Sequence, residues 1–179
     1  MQRRTACVVA TAFVLASILA VPARTGEFYP PADADALWTF ITEVDPYDGW
    51  GWWPGGAGLR PGESPHGKFV AVYANGPALS AARGGMDVMP DRAIIVKENY
   101  AEDGKTLVAV TPMYRLKGYN PEGGDWFWVK YGPNGDVAAE GKVKGCISCH
   151  ADVADRDWRF LRSDAAGHRR GAHHGEKKQ

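Results

Sequence analysis

The residues with the most specific chemistry lie near the end of the chain, in Cys146-Ile147-Ser148-Cys149-His150. Two thiols three positions apart on a helical turn share one edge. They can add to the two vinyl groups of a single haem, and the adjacent histidine then falls beneath the iron as a neutral imidazole ligand. Cys-x-x-Cys alone is also compatible with a redox dithiol or with half of a zinc site. A zinc site needs a second close pair of ligands, and the only other cysteine is Cys7. A thioredoxin-like dithiol follows a first strand, whereas this one is far down the chain. The motif therefore reads as the attachment site of a c-type haem, bonded through Cys146 and Cys149, with His150 as proximal iron ligand.

The start of the chain agrees with that reading, because haem is attached in this way outside the cytoplasm. Met1-Gln2-Arg3-Arg4 is a basic leader, residues 6–21 form a short apolar run, and Val21-Pro22-Ala23 offers small residues for cleavage. Residues 1–23 are expected to be a secretory signal peptide, with a periplasmic destination and no membrane span in the mature chain. Cleavage after Ala23 removes Cys7 and two of the 21 basic residues, leaving 19 against 21 acidic ones, a net charge of −2. That balance gives no reason to expect nucleic acid as a partner.

A haem pocket needs a scaffold, and the sequence implies an α+β one: a mainly antiparallel β-sheet with a few helices in a single haem domain over 24–163. Leu37, Phe40, Ile41 and Val44 recur at helical spacing after Asp33 and Asp35, giving a helix with one apolar face. Residues 45–65 read as a loop rich in Gly, Pro and Trp. Its Trp50, Trp52 and Trp53 either cover the haem edge or plug an open side of the sheet. His66, between Pro65 and Gly67, reads as a hydrogen-bonding turn residue, with a second axial ligand as the alternative. Strands are expected over 68–75, 92–99, 106–114, 125–131 and 136–143, with a short helix over 77–83. The haem helix is expected to start at about Cys146 and continue through Trp158 and Phe160. Residues 164–179 read as a charged, disordered tail in which His168, His173 and His174 are solvated.

The chain resembles the cytochrome P460 and cytochrome c′-β family. The resemblance runs from about Trp50 to Trp158. It is carried by Trp53-Pro54-Gly55, Pro65-His66-Gly67, Met89-Pro90, Ile94-Ile95-Val96-Lys97-Glu98-Asn99-Tyr100, Lys117-Gly118-Tyr119, Gly124-Asp125-Trp126-Phe127-Trp128 and 141–150. It implies an antiparallel β fold, a homodimer, and a five-coordinate haem c open on its distal side. In the P460 branch a lysine in a Val-Lys-Glu segment is bonded to a haem meso carbon, and the protein oxidises hydroxylamine to nitrous oxide, passing electrons to a small redox protein. The matching position here is Lys97. The c′-β branch lacks that bond and binds nitric oxide.

Lys97 also fits on its own residues. It ends the apolar run 93–96, where it either snorkels to solvent or points into a pocket that would lower its pKa and free its nitrogen lone pair. The glutamate that serves as distal acid in the P460 branch has no counterpart: the matching position falls near Met113 or Tyr114. Tyr114 and Arg115 are the distal hydrogen-bonding candidates, and Asp125 or Glu98 could supply an acid, although Glu98 should face away from Lys97. Hydroxylamine oxidation is the leading reading. Nitric oxide binding without turnover is the alternative. An electron carrier, with a sixth ligand from Met86, Met89, Met113 or His66, is the third.

Overall fold

The computed structural model describes residues 29–160. The expected leader and the histidines of the tail lie outside these residues. Strands β1 (Gly51–Trp52), β2 (Arg60–Pro61), β3 (Phe69–Ala74), β4 (Ile94–Tyr100), β5 (Leu107–Arg115), β6 (Trp126–Tyr131) and β7 (Val137–Gly141) form one antiparallel sheet. Its order is β1-β3-β4-β5-β6-β7, with β2 also paired to β3. The helices are α1 (Ala34–Thr39), α2 (Gly76–Arg83) and α3 (Lys144–His150). None among the described residues is long and apolar enough to cross a membrane.

The five long strands fall where alternating Val, Ile and aromatic residues place them. The tryptophan-rich loop contains more order than its Gly and Pro content implies. Its two ends pair with β3, Trp52 opposite Tyr73 and Arg60 opposite Val70. This covers an edge that would otherwise expose unpaired backbone groups. α1 begins as expected, with the Asp33 carboxylate accepting from the Ala36 N–H, but it widens into a π turn over Phe40–Val44.

Because successive side chains alternate across a strand, the sheet divides its residues between two cores. On one face Ile94, Val96, Val110, Tyr114, Phe127, Val129 and Tyr131 pack against Leu37, Phe40 and Ile41 of the N-terminal helical segment. On the other, Val70, Val72, Ala74, Ile95, Trp126 and Trp128 pack against Trp53, Met89, the small residues of α2, and Cys146 and Ile147 of α3. The three loop tryptophans are shared out: Trp53 is buried in the second core, Trp50 borders the first, and Trp52 stacks on Tyr73 at 4.5 Å. Neither sequence alternative for them holds for all three.

Candidate haem site

α3 carries Cys146, Cys149 and His150 and lies over the second face. Both cysteines are free thiols, Cys146 partly buried and Cys149 exposed. His150 is buried at 7 % exposure. Its ring lies 4.6 Å from Trp128 and 5.0 Å from Phe160. Its Nδ1 sits 2.6 Å from the Trp158 carbonyl oxygen. A carbonyl only accepts, so Nδ1 carries the proton and Nε2 keeps its lone pair. This is the arrangement that fixes a metal-bound histidine. Burial and the nearby Lys97 charge lower the His150 pKa, although the bond to Trp158 opposes them. The ring is therefore held as the neutral imidazole that a metal requires.

The chain reaches Trp158 by leaving the helix, which corrects the expectation that the haem helix runs on through Trp158 and Phe160. α3 ends at His150, a 3-10 segment follows over Ala151–Arg156, and Asp157 and Trp158 both take left-handed backbone angles (φ 56° and 62°). That reversal aims the Trp158 carbonyl at His150. Asp157 is tied into it from several sides. Its carboxylate accepts from the Met89 N–H, pairs with Arg115 and lies 3.9 Å from Arg159 Nε. Its carbonyl accepts from the Trp126 indole.

Lys97 lies on the same sheet face as Ile95 and Asn99. Burial, reinforced by the positive charge of Arg60, lowers its pKa to about 8, while Cys149 acts in the opposite direction. Glu98 points the other way, as strand alternation requires, and accepts from the hydroxyls of Tyr47 at 2.9 Å, Tyr73 at 3.2 Å and Tyr100 at 2.8 Å. Burial first, then the Glu98 charge, raises the Tyr47 and Tyr73 pKa values. Burial and the bond to Glu98 raise that of Tyr100 to about 12. Glu98 is thus the centre of a structural tyrosine cluster behind the site.

The two distal hydrogen-bonding candidates are engaged elsewhere. Tyr114 is fully buried in the first core, where its hydroxyl accepts from Arg92 and donates to the Pro30 carbonyl. The even positions of β5 face away from Lys97, so Tyr114 cannot serve the site. Arg115 is committed to Asp157 and lies over the Trp126 ring. Asp125 is a left-handed turn residue whose carboxylate accepts from the Asn120 N–H. Among the possible methionine ligands, Met86 is 51 % exposed, Met89 is buried in the second core, and Met113 borders that core.

His66 is the residue the sequence reading undervalued. Its Nδ1 lies 2.9 Å from Asn99 Oδ1 and its ring centre is 6.4 Å from that of His150. Burial, aided by the Lys97 charge, lowers its pKa to about 4. Gly67 makes this approach possible, because a Cβ there would collide with the Tyr100 backbone. The contact depends on how the 62–67 turn lies against the end of β4. No local pattern in Pro65-His66-Gly67 encodes that, and only the period-two position of Asn99 beside Lys97 hinted at it.

The comparisons with known proteins can now be set beside this geometry. The family model for cytochrome P460 matches residues 50–161, more than half of the chain. The chain belongs to the cytochrome P460 family. No curated protein matches it. Membership of the cytochrome P460 family implies a c-type haem, and the residues present suit one. Two unbridged thiols precede, on the same helix, a buried histidine whose Nε2 is unprotonated. The indole N–H groups of Trp53 and Trp128, both in the core on this face, have no partner among the described residues. Cys146, Cys149 and His150 would hold the haem, and Lys97 stands beside them.

Proposed function

We propose that this protein oxidises hydroxylamine at the distal side of one haem c, and that Lys97 is bonded to the haem in the mature protein. When bound, the haem supplies an iron that takes up electrons from a nitrogen ligand. Two hydroxylamines then yield one nitrous oxide, one water, four protons and four electrons, and the electrons pass to a small redox protein. His150 would hold the iron through Nε2, its tautomer fixed by the Trp158 carbonyl. The chain acts in the periplasm after removal of its leader, as a homodimer.

One observation carries this reading. Lys97 is a half-buried lysine on the sheet face that packs against α3, close enough to sense Cys149, and desolvation lowers its pKa to about 8. Desolvation of that kind produces a nucleophilic amine. The test is the mass of the haem-bearing tryptic peptides, measured with hydroxylamine-dependent reduction of an electron acceptor and detection of nitrous oxide. The expected result is a peptide containing Lys97 joined through haem to the 146–150 peptide, with turnover. Lys97→Ala should keep its thioether-bound haem, lose the third link and change the ferrous spectrum. An unchanged spectrum would remove Lys97 from the chemistry.

A second reading rests on a different observation. The strand positions on the haem-facing side, from Val70 on β3 to Lys130 on β6, include no carboxylate among the described residues. Without a distal acid to accept protons, the haem would capture nitric oxide and release it unchanged. Stable nitric oxide binding without hydroxylamine-driven reduction of any acceptor would select this alternative.

A further inference from the structure

Glu98 is a buried carboxyl group, 9 % exposed, that the haem site does not use. Tyr47 donates to its Oε1, and Tyr73 and Tyr100 share its Oε2. Two other enclosed tyrosines are bonded differently. Tyr114 donates to the Pro30 carbonyl and Tyr131 to the Ala34 carbonyl. A peptide carbonyl accepts a hydrogen bond but does not take up the proton, whereas a carboxylate can do both. The three phenols on Glu98 each have a base already in contact with their proton.

That difference decides how readily a phenol loses an electron. An oxidised phenol is a strong acid, so oxidation is easy only where its proton has somewhere to go. Burial and then the Glu98 charge raise the Tyr73 pKa, so near neutral pH Tyr73 gives up its proton only together with an electron. Tyr73 is also connected outward. Its ring stacks on Trp52 at 4.5 Å with the planes 30° apart, and Tyr47 meets it edge-on at 5.3 Å. Trp52 lies on β1, at the margin of the sheet, and is 37 % exposed. Inward, Tyr73 follows Val72, the cross-strand partner of Lys97, and Glu98 follows Lys97 itself. The cluster therefore stands one sheet thickness from the face that packs against α3, and Trp52 joins it to solvent.

We propose that the Glu98 cluster is a redox relay: Tyr73 returns an electron to the haem after a peroxide has oxidised it, and Trp52 passes one in from a soluble reductant. Hydrogen peroxide takes two electrons from the haem and two protons from solvent, its O–O bond breaks, and two waters leave. Tyr73 replaces one of those electrons. Its O–H bond breaks, the electron crosses the sheet, and the proton moves to Glu98 Oε2. A one-electron reductant such as ascorbate then meets Trp52, an electron crosses the stacked rings to Tyr73, and the proton returns from Glu98. A second pass supplies the other electron and leaves the cluster unchanged. The proposal rests on haem attachment through Cys146, Cys149 and His150, and requires neither hydroxylamine oxidation nor the Lys97 bond.

The experiment mixes the ferric, haem-loaded full chain with equimolar hydrogen peroxide, freezes it within milliseconds and reads its electron paramagnetic resonance spectrum. An organic radical is expected, with a signal that narrows when the protein is made with ring-deuterated tyrosine. Tyr73→Phe keeps the ring on Trp52 and removes only the hydroxyl. It should lower the radical yield about tenfold, because no proton is left to pass to Glu98. Glu98→Gln should act in the same direction, since an amide does not keep the proton. Tyr131→Phe, which removes a phenol bonded to a carbonyl, should leave the yield as it was. Trp52→Ala should let the radical form and slow its decay in ascorbate. A yield unmoved by Tyr73→Phe overturns the proposal, as does the absence of a radical or a signal indifferent to deuterated tyrosine. A chain that forms the Tyr73 radical but does not oxidise hydroxylamine would count against the proposed function and leave this inference standing.

Discussion

Lys97 and Glu98 are adjacent in the chain and separated by the sheet, so substituting them should give opposite results. Glu98 satisfies three tyrosine hydroxyls at once. Glu98→Gln offers one acceptor oxygen in place of two and adds an NH2 group among donors. It should cost about 1–3 kcal/mol of stability, seen as a lower denaturant midpoint, while the haem spectrum stays as it was. A changed spectrum would mean that the tyrosine cluster reaches the haem after all. Lys97 carries a pH dependence. An amine that loses its proton at about 8 rather than in the usual lysine range is mostly ammonium at about pH 6.5 and mostly free amine at about pH 9.5, a difference of roughly thirtyfold in the reactive form. Joining the amine to a meso carbon replaces an N–H and a C–H with an N–C bond and releases two protons and two electrons, so with a peroxide added as oxidant, raising the pH through 8 should speed formation of the lysine–haem bond, followed by the mass of the joined peptides. A rate that is flat across that range would show that amine deprotonation does not limit the reaction. The chemistry of Lys97 and of Cys146, Cys149 and His150 was legible because their type and spacing are local. Tyr114 was misplaced because strand alignment alone does not say which side of β5 faces the haem, and one position decides it.

At the scale of elements, the strands were readable and the junctions were not. Period-two patterning located β3 to β7 to within about two residues. The break after α3 had no such signal. Nothing in Arg156-Asp157-Trp158 resembles a helix stop, and two consecutive left-handed non-glycine residues cost of the order of 1–2 kcal/mol each. They hold because Asp157 collects a backbone N–H and two guanidinium groups in a buried position, with its own side chain 5 % exposed. Asp157→Ala would leave Arg115 and Arg159 enclosed without their carboxylate. The loss should approach about 3 kcal/mol, the usual cost of removing one partner of a buried pair. Trp158 should also drift from His150, weakening a bond that makes the imidazole a better electron donor. The haem reduction potential should then rise relative to the unaltered protein. A fall in stability with the potential unmoved would make Asp157 purely structural.

At the scale of the whole molecule, the two faces of the sheet carry different dependences on haem. The first core is closed by the chain itself. Leu37 and Ile41 are fully buried against the sheet, Tyr131 donates to the Ala34 carbonyl at 2.6 Å, and the Ala34 N–H is held by Glu140 across β7. The second face is closed in part by Trp53, Met89 and α2, and in part by α3 and the turn after it; α3 is a short helix with no side-chain N-cap. An isolated seven-residue helix is far below the length at which helices persist in water, so packing must hold it. A haem bonded to Cys146 and Cys149 would supply much of that packing. Replacing both cysteines by serine and expressing the chain without haem should therefore not unfold the molecule uniformly. Amide hydrogens of β4, β5 and β6 should remain protected, since those strands also build the first core. Those of residues 144–160 should exchange at rates near those of an open chain. Reattaching haem to the unaltered protein should restore protection in that segment alone. Equal loss of protection in β4–β6 and in α3 would show that the sheet depends on haem as a whole, and that the first core is too small to stand without it.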